Sequence, residues 1–266
     1  MTQLRTADAG RLRATVLGGA AALGLLLPGC SASQAPGSAP GSPATLTVFA
    51  AASLTATFTT LAGVFEEAHP GVTVALNLAG SADLVAQLDQ GAPADVFASA
   101  DEATMAKATA SGLIAGEAEV FATNVLTIAV PPDNPAGIAT PADLARDGVR
   151  VVVCAAQVPC GAAAVKAEQA AGIDLHPVSE ETRVTDVLAK VESGEADAGL
   201  VYATDVKAAA GDVLGIDFPQ AAGAVNRYRL GVVASSTHPE LARAFVELVT
   251  GQQGQRVLAG AGFGGR

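Results

Sequence analysis

The sequence predicts an α/β protein of two lobes with a ligand cleft between them, and three observations carry that expectation. From Thr45 onward, short β-rich runs alternate with longer helical stretches. The alternation comes in two sets, a second beginning near Asn124 and the chain returning to the first near residue 226. Half of the 266 residues are hydrophobic and only 15% are charged, apolar mass enough for a sizeable core. Strand–helix alternation of this kind implies helices layered on largely parallel sheets.

The first set opens with Thr45 to Ala50 (TLTVFA) as a strand, then Leu54 to Ala68 as a helix starting at Ser53. Val72 to Ala79 is a second strand and Ala82 to Gln90 a second helix. Asp95 to Ala98 reads as a short buried strand, followed by a helix from Glu102 to Ala110. In the second set, Val125 to Val130 is apolar and ends at Pro131-Pro132, which stops a strand. A strand over Val149 to Cys154, helices over Gly161 to Ala171 and Val184 to Glu192, and a strand over Ala198 to Tyr202 follow. Arg229 to Ala234 is the last strand, and helices over His238 to Val249 and Gln252 to Ala259 finish the chain. The expected division is 45–123 plus 228–266 for lobe one and 124–227 for lobe two, with the hinge around Asn124–Thr127 and Asn226–Tyr228.

The first thirty residues read as an address. Arg5, Arg11 and Arg13 precede a small and apolar run, Ala14 to Leu27, too short for a comfortable bilayer span. Leu27-Pro28-Gly29-Cys30 resembles the lipobox of bacterial lipoproteins, which implies cleavage of a signal peptide over 1–29 and lipidation at Cys30. The alternative is an ordinary signal peptide with an accidental cysteine. Residues 30–44, rich in Ser, Ala, Gly and Pro, bury too little to fold and read as a tether. Removing residues 1–29 takes away Arg5, Arg11, Arg13 and Asp8, so a net charge of -11 becomes -13. An acidic chain without a basic block excludes nucleic acid as a partner. The expected place is extracytoplasmic, on the cell membrane through the lipid anchor alone.

Two serines follow strands and open helices. Ser53 ends Ala50-Ala51-Ala52-Ser53, and Ser81 ends Ala79-Gly80-Ser81. The bland reading is an N-cap; the sharper one is an anion site at orphan amides and positive dipole ends. In the second set Cys154-Ala155-Ala156-Gln157-Val158-Pro159-Cys160-Gly161 leaves a strand and opens a helix. Two cysteines six apart, outside the cytoplasm, are expected to form a disulfide that shapes this loop. Their spacing is not the C-x-x-C of a redox pair.

These segments, taken in order, resemble the molybdate-binding proteins of ABC importers. Phe49-Ala50-Ala51-Ala52-Ser53-Leu54 and Gly80-Ser81 match the family near its mature start, and Gly91 to Asp101 (GAPADVFASAD) matches its GAPADVFISAD segment. Val191 to Tyr202 (VESGEADAGLVY) and Val158-Pro159-Cys160-Gly161 match two further segments, the last with Cys where many members have Ala. The resemblance runs from about Leu46 to the C-terminus and implies a periplasmic-binding-protein-like (type II) fold. It also implies a receptor rather than an enzyme, no cofactor, a monomer, and delivery of molybdate or tungstate to an ABC permease. Carried over residue by residue, the oxyanion ligands are Ser53, Ser81, the amides of Cys160 and Val184, and the hydroxyl of Tyr202. With the serine amides these make seven donors, a set suited to an acceptor-only tetrahedral dianion. No free cation is expected; molybdenum would be held only as the oxyanion.

The remaining candidates have plainer readings. Tyr228 is expected in packing or the hinge, Arg183 on a solvated face or in a salt bridge, and Asp83 toward solvent. Asp95 reads as a structural partner of loop amides. Rival functions are a receptor for sulfate or an organic anion, an extracytoplasmic thiol oxidoreductase or serine hydrolase, and a tyrosine-based iron receptor. No G-x-S-x-G exists, and His69, His176 and His238 all sit beside Pro, which leaves hydrolysis without a motif.

Overall fold

The computed structural model describes residues 43–266. The signal peptide, Cys30 and all but the end of the expected tether lie outside the described residues. The chain forms ten strands and eight helices among the described residues, arranged as two five-stranded sheets.

The first sheet has the order β2-β1-β3-β10-β4, with β1 at Ala44–Ala51, β2 at Val72–Ala79, β3 at Val96–Ser99, β4 at Glu119–Asn124 and β10 at Asn226–Val232. The second has the order β7-β6-β8-β5-β9, with β5 at Leu126–Val130, β6 at Val151–Cys154, β7 at Ser179–Glu181, β8 at Ala198–Tyr202 and β9 at Leu214–Ile216. The chain crosses between the sheets twice, at Val125 and between β9 and β10.

The expected largely parallel sheets are mixed instead. β1 runs parallel to β2 and β3, but β10 is antiparallel to both β3 and β4. In the second sheet β6 is parallel to β7 and β8, while β5 is antiparallel to β8 and β9. The crossing strands cause this, because a chain that enters or leaves a lobe without a crossover helix inserts against the local direction. Three strands escaped the sequence reading, β4, β7 and β9. β7 is the polar triplet Ser-Glu-Glu, held by backbone pairing to β6 rather than by burial.

Helices cover both sheets. α1 (Thr55–Ala68), α2 (Ser81–Asp89), α3 (Glu102–Ala110), α7 (Pro239–Thr250) and α8 (Gln252–Ala261) belong with the first sheet; α4 (Pro159–Ala171), α5 (Val184–Glu192) and the short α6 (Ala203–Ala208) belong with the second. Phe58, Phe65, Phe121 and Phe245 form the aromatic centre of lobe one, with ring centroids 5.4–6.0 Å apart in edge-on or tilted pairs. Lobe two packs smaller β-branched residues, Val151, Val152, Val187, Val191 and Val201, all essentially unexposed. Asp95 ties lobe one's loops together, accepting from the amide of Thr47 at 2.8 Å and the hydroxyl of Ser236 at 2.7 Å.

Candidate functional site

Turns at the ends of the strands converge on a cavity between the lobes. Lobe one contributes Ala51–Ser53, Ala79–Ser81 and Ala100; lobe two contributes Pro159–Cys160, Thr182–Val184 and Tyr202. The cavity measures about 20 Å³, room for one compact group. Ser53, Ser81, Cys160, Val184 and Tyr202 all line it, so the five residues singled out from the sequence are brought together.

Neither serine caps its helix. A 3₁₀ turn over Ala52–Leu54 precedes α1, so Ser53 sits inside the turn, and its Oγ lies 2.9 Å from the hydroxyl of Tyr228. Ser81 is the first residue of α2 rather than its cap, and its Oγ accepts the amide of Ala100 at 3.1 Å. The N-cap reading therefore fails at both positions, because Leu54 and Gly80 occupy the cap positions of α1 and α2 and the serine hydroxyls bond to residues from elsewhere in the chain.

Lobe two presents two helix starts. Cys160 and Val184 stand in the first turns of α4 and α5, where backbone amides have no partner within the helix. Cys154 and Cys160 are paired as a disulfide with Cα atoms 5.6 Å apart, joining the end of β6 to the start of α4. Gly161 is required beside it, because a Cβ there would collide with the carbonyls of Cys154 and Ala155. The amide of Ala155 donates to the carbonyl of Glu181 at 2.9 Å, which sets the cysteine loop against the turn that leads into α5. Glu181 is held in turn by Lys190 of α5.

Tyr202, at the end of β8, is 1% exposed, and its hydroxyl finds no hydrogen-bond partner in the protein. Burial pushes this phenol well above its ordinary pKa, so it is a neutral donor. A buried polar atom left unpaired costs on the order of 1–3 kcal/mol, and this one lines the cavity. Asp205 of α6 accepts the Tyr202 amide at 2.9 Å, and burial pushes its carboxyl up to about 7.

The lobes touch around this cavity. Asn226 donates through Nδ2 to the carbonyl of Ala100 in lobe one at 3.0 Å and to that of Pro159 in lobe two at 3.4 Å. Asn124 donates to the hydroxyl of Thr204 at 2.7 Å. Arg183 lines the cavity, but its guanidinium pairs with Asp186 at 2.9 Å, the salt bridge expected of it. Asp83 is half-buried and outside the cavity lining. Tyr228 was expected only in packing or the hinge; its phenol reaching Ser53 is what the sequence did not disclose, since 175 residues separate the two.

Among the described residues no group of three or more His, Cys, Asp or Glu is placed to hold a metal ion. A larger groove of about 650 Å³ carries Glu117, Glu119 and Glu247 against a single Arg243, a lining that repels anions. The small neutral cavity is the better-built site.

Comparison with known proteins gives the family. The sequence profile of the bacterial extracellular solute-binding proteins matches residues 46–264. The chain is 48% identical to the molybdate-binding protein ModA of Mycobacterium tuberculosis over 87% of its own length and 90% of that protein. The periplasmic molybdate-binding protein of Azotobacter vinelandii shares the fold, with a TM-score of 0.72 at 23% identity, over 82% of this chain and 98% of that one. The sulfate-binding protein SubI of Mycobacterium tuberculosis does so with a TM-score of 0.67 at 23% identity, over 83% and 86%. With two lobes, a cavity between them and a match across nearly all the described residues, the chain belongs to the family of bacterial extracellular solute-binding proteins.

Proposed function

We propose that the protein captures molybdate, and tungstate with it, in the interlobe cavity and delivers it to an ABC permease. The observation that carries this reading is the buried, unpartnered Tyr202 hydroxyl lining a cavity shared with two serines and two helix starts. Ser53, Ser81 and Tyr202 give hydroxyl donors, and Cys160 and Val184 give amides. A dianion approaching an acidic protein, of net charge -11 in full and -13 once residues 1–29 are removed, gains nothing from bulk charge, so local dipoles must attract it; each helix start offers about half a positive charge. Hydrogen bonds to a charged acceptor contribute about 1.5–3 kcal/mol each, enough for tight binding after the costs of closure.

The hinge is assigned to the two crossings, around Asn124–Thr127 and Asn226–Tyr228; Asn124, Asn226 and Arg227, expected in lobe two, pair within the first sheet and go with lobe one. Lipidation of Cys30 would hold a monomeric receptor at the cell membrane beside its permease. Titration calorimetry with molybdate, tungstate and sulfate tests the reading. Tight binding of the first two and weaker binding of sulfate is the expected result; sulfate bound as tightly as molybdate overturns the assignment.

A further inference from the structure

Asn226 stands where the chain returns to lobe one, opposite Asn124 in the β10–β4 pair, and is 5% exposed. Both neighbours of its side-chain nitrogen are backbone carbonyls, that of Ala100 at 3.0 Å and that of Pro159 at 3.4 Å. Carbonyls only accept, so the side-chain amide can be turned one way alone, with Nδ2 toward the pair.

Each carbonyl adjoins a proposed ligand. The amide of Ala100 donates to Ser81 Oγ at 3.1 Å, so the residue that Asn226 holds in lobe one also holds a serine. The link in lobe two is more direct, because the Pro159 carbonyl and the Cys160 N–H are opposite ends of one peptide group. That group is planar and trans, so a donor that fixes the carbonyl makes the N–H point the other way. Pro159 and Cys160 both line the cavity and open α4, where an N–H has no partner within the helix.

Cys160 is pinned on its other side by the bridge to Cys154 and by Gly161, which packs against the carbonyls of Cys154 and Ala155 with no room for a side chain. Rotation of the peptide between Pro159 and Cys160 is the freedom these contacts leave, and Asn226 restrains it from the other lobe. A hydrogen bond accepted at the carbonyl also polarises the group and strengthens its N–H as a donor. Pro159 is itself buried, so its carbonyl would be left unpaired between the lobes without Asn226.

We propose that Asn226 is a positioning residue for the oxyanion: from lobe one it holds the Pro159 carbonyl and so aims the Cys160 amide of lobe two, which readies that donor only when the lobes meet. This rests on the oxyanion reading above and adds the residue that couples closure to one of its ligands.

The test compares the wild type with Asn226→Leu, which keeps the shape of the side chain and removes its donors. Calorimetry with molybdate is expected to show an affinity about tenfold lower, the effect of one buried carbonyl left unpaired. Stopped-flow mixing is expected to place most of that loss in faster release. Losing the Ala100 bond lowers the stability of the empty protein as well, so the deciding readout is local: the amide proton resonances of Cys160 and Val184 in isotope-labelled protein. In the wild type both move downfield when molybdate binds; in Asn226→Leu the Cys160 shift shrinks while the Val184 shift is kept. Wild-type affinity, or a Cys160 shift as large as in the wild type, overturns the proposal. Equal loss at both amides overturns it too, because that marks a general loosening. Should Asn226→Leu fold poorly, the wild type alone decides: molybdate is expected to move the Asn226 Nδ2 protons downfield as the 3.4 Å bond shortens, and protons that stay in place sink the idea. A wild type that takes up no molybdate removes the parent reading and this one with it, whereas a normal wild type beside an unaffected variant removes this one alone.

Discussion

The carbonyl of Thr182 in lobe two fills the space in which a side chain on Gly80 of lobe one would stand. Gly80 immediately precedes Ser81, so a close approach of the lobes occurs beside a proposed ligand. Gly80→Ala therefore opposes the closed form specifically. Overpacking of this sort costs about 1–3 kcal/mol, and molybdate affinity is expected to fall by the corresponding factor while the melting temperature of the empty protein holds. Calorimetry beside thermal denaturation checks it; unchanged affinity would mean that the lobes do not need to meet there.

The Cys154–Cys160 bridge closes a short loop at the edge of the cavity. For a loop of this length the chain-entropy model gives about 2 kcal/mol, or roughly 4–8 °C for a protein of this size. The Cys154→Ser/Cys160→Ser variant is expected to melt lower by about that amount and to bind molybdate more weakly. Melting of the wild type with and without reductant gives an independent check.

Asp205 sets a pH dependence of a definite sign. Burial raises its carboxyl from 3.8 to about 7 despite the Tyr202 amide that it accepts. Folding therefore takes up a proton between those values. The stability this group contributes is fully present below about 4 and is lost as the pH rises through about 7. The full span corresponds to at most about 4 kcal/mol. Asp205→Asn keeps an acceptor for the Tyr202 amide and is expected to flatten this component. Urea unfolding of both proteins at pH 5 and pH 8 shows it as a difference between the two slopes. Glu181 and Asp197, whose carboxyls are held low by Lys190 and Arg150, act in the opposite sense and cancel in that comparison.

Among the described residues Arg183 is the one cation in the cavity lining, and it is already committed to Asp186. An exposed pair of this kind contributes little, so Arg183→Ala is expected to change molybdate affinity by no more than about fivefold. Ser81→Ala removes a hydroxyl proposed as a ligand of the anion and should cost about ten- to a hundredfold. Titrations at low and high salt separate the two, and an arginine variant as impaired as the serine variant would end the neutral-donor account.

Much of this site was legible in the sequence, because its parts are local. Small-residue turns leaving strands at Ser53, Ser81 and Cys160 mark chain positions where backbone amides are free. Two cysteines in one loop disclose their pairing by proximity. What stayed hidden was non-local. Tyr228 and Ser53 are joined only because β10 returns to lobe one beside β4. The antiparallel strands were missed for the same reason, since pairing direction depends on the chain's route between lobes rather than on composition. The Ser-Glu-Glu strand β7 carries no apolar pattern and is visible only through its partner β6.

Asn226 divides its side-chain amide between the carbonyls of Ala100 and Pro159, one on each side of the cavity. If the halves part, water can take the place of Pro159, and such an exchange is close to even in free energy. The clasp is thus one that solvent can undo at little expense. On the proposed function, an empty receptor would then be free to gape and the cargo itself would keep it shut, so that a transporter need only strip the anion's few bonds for the jaws to fall open.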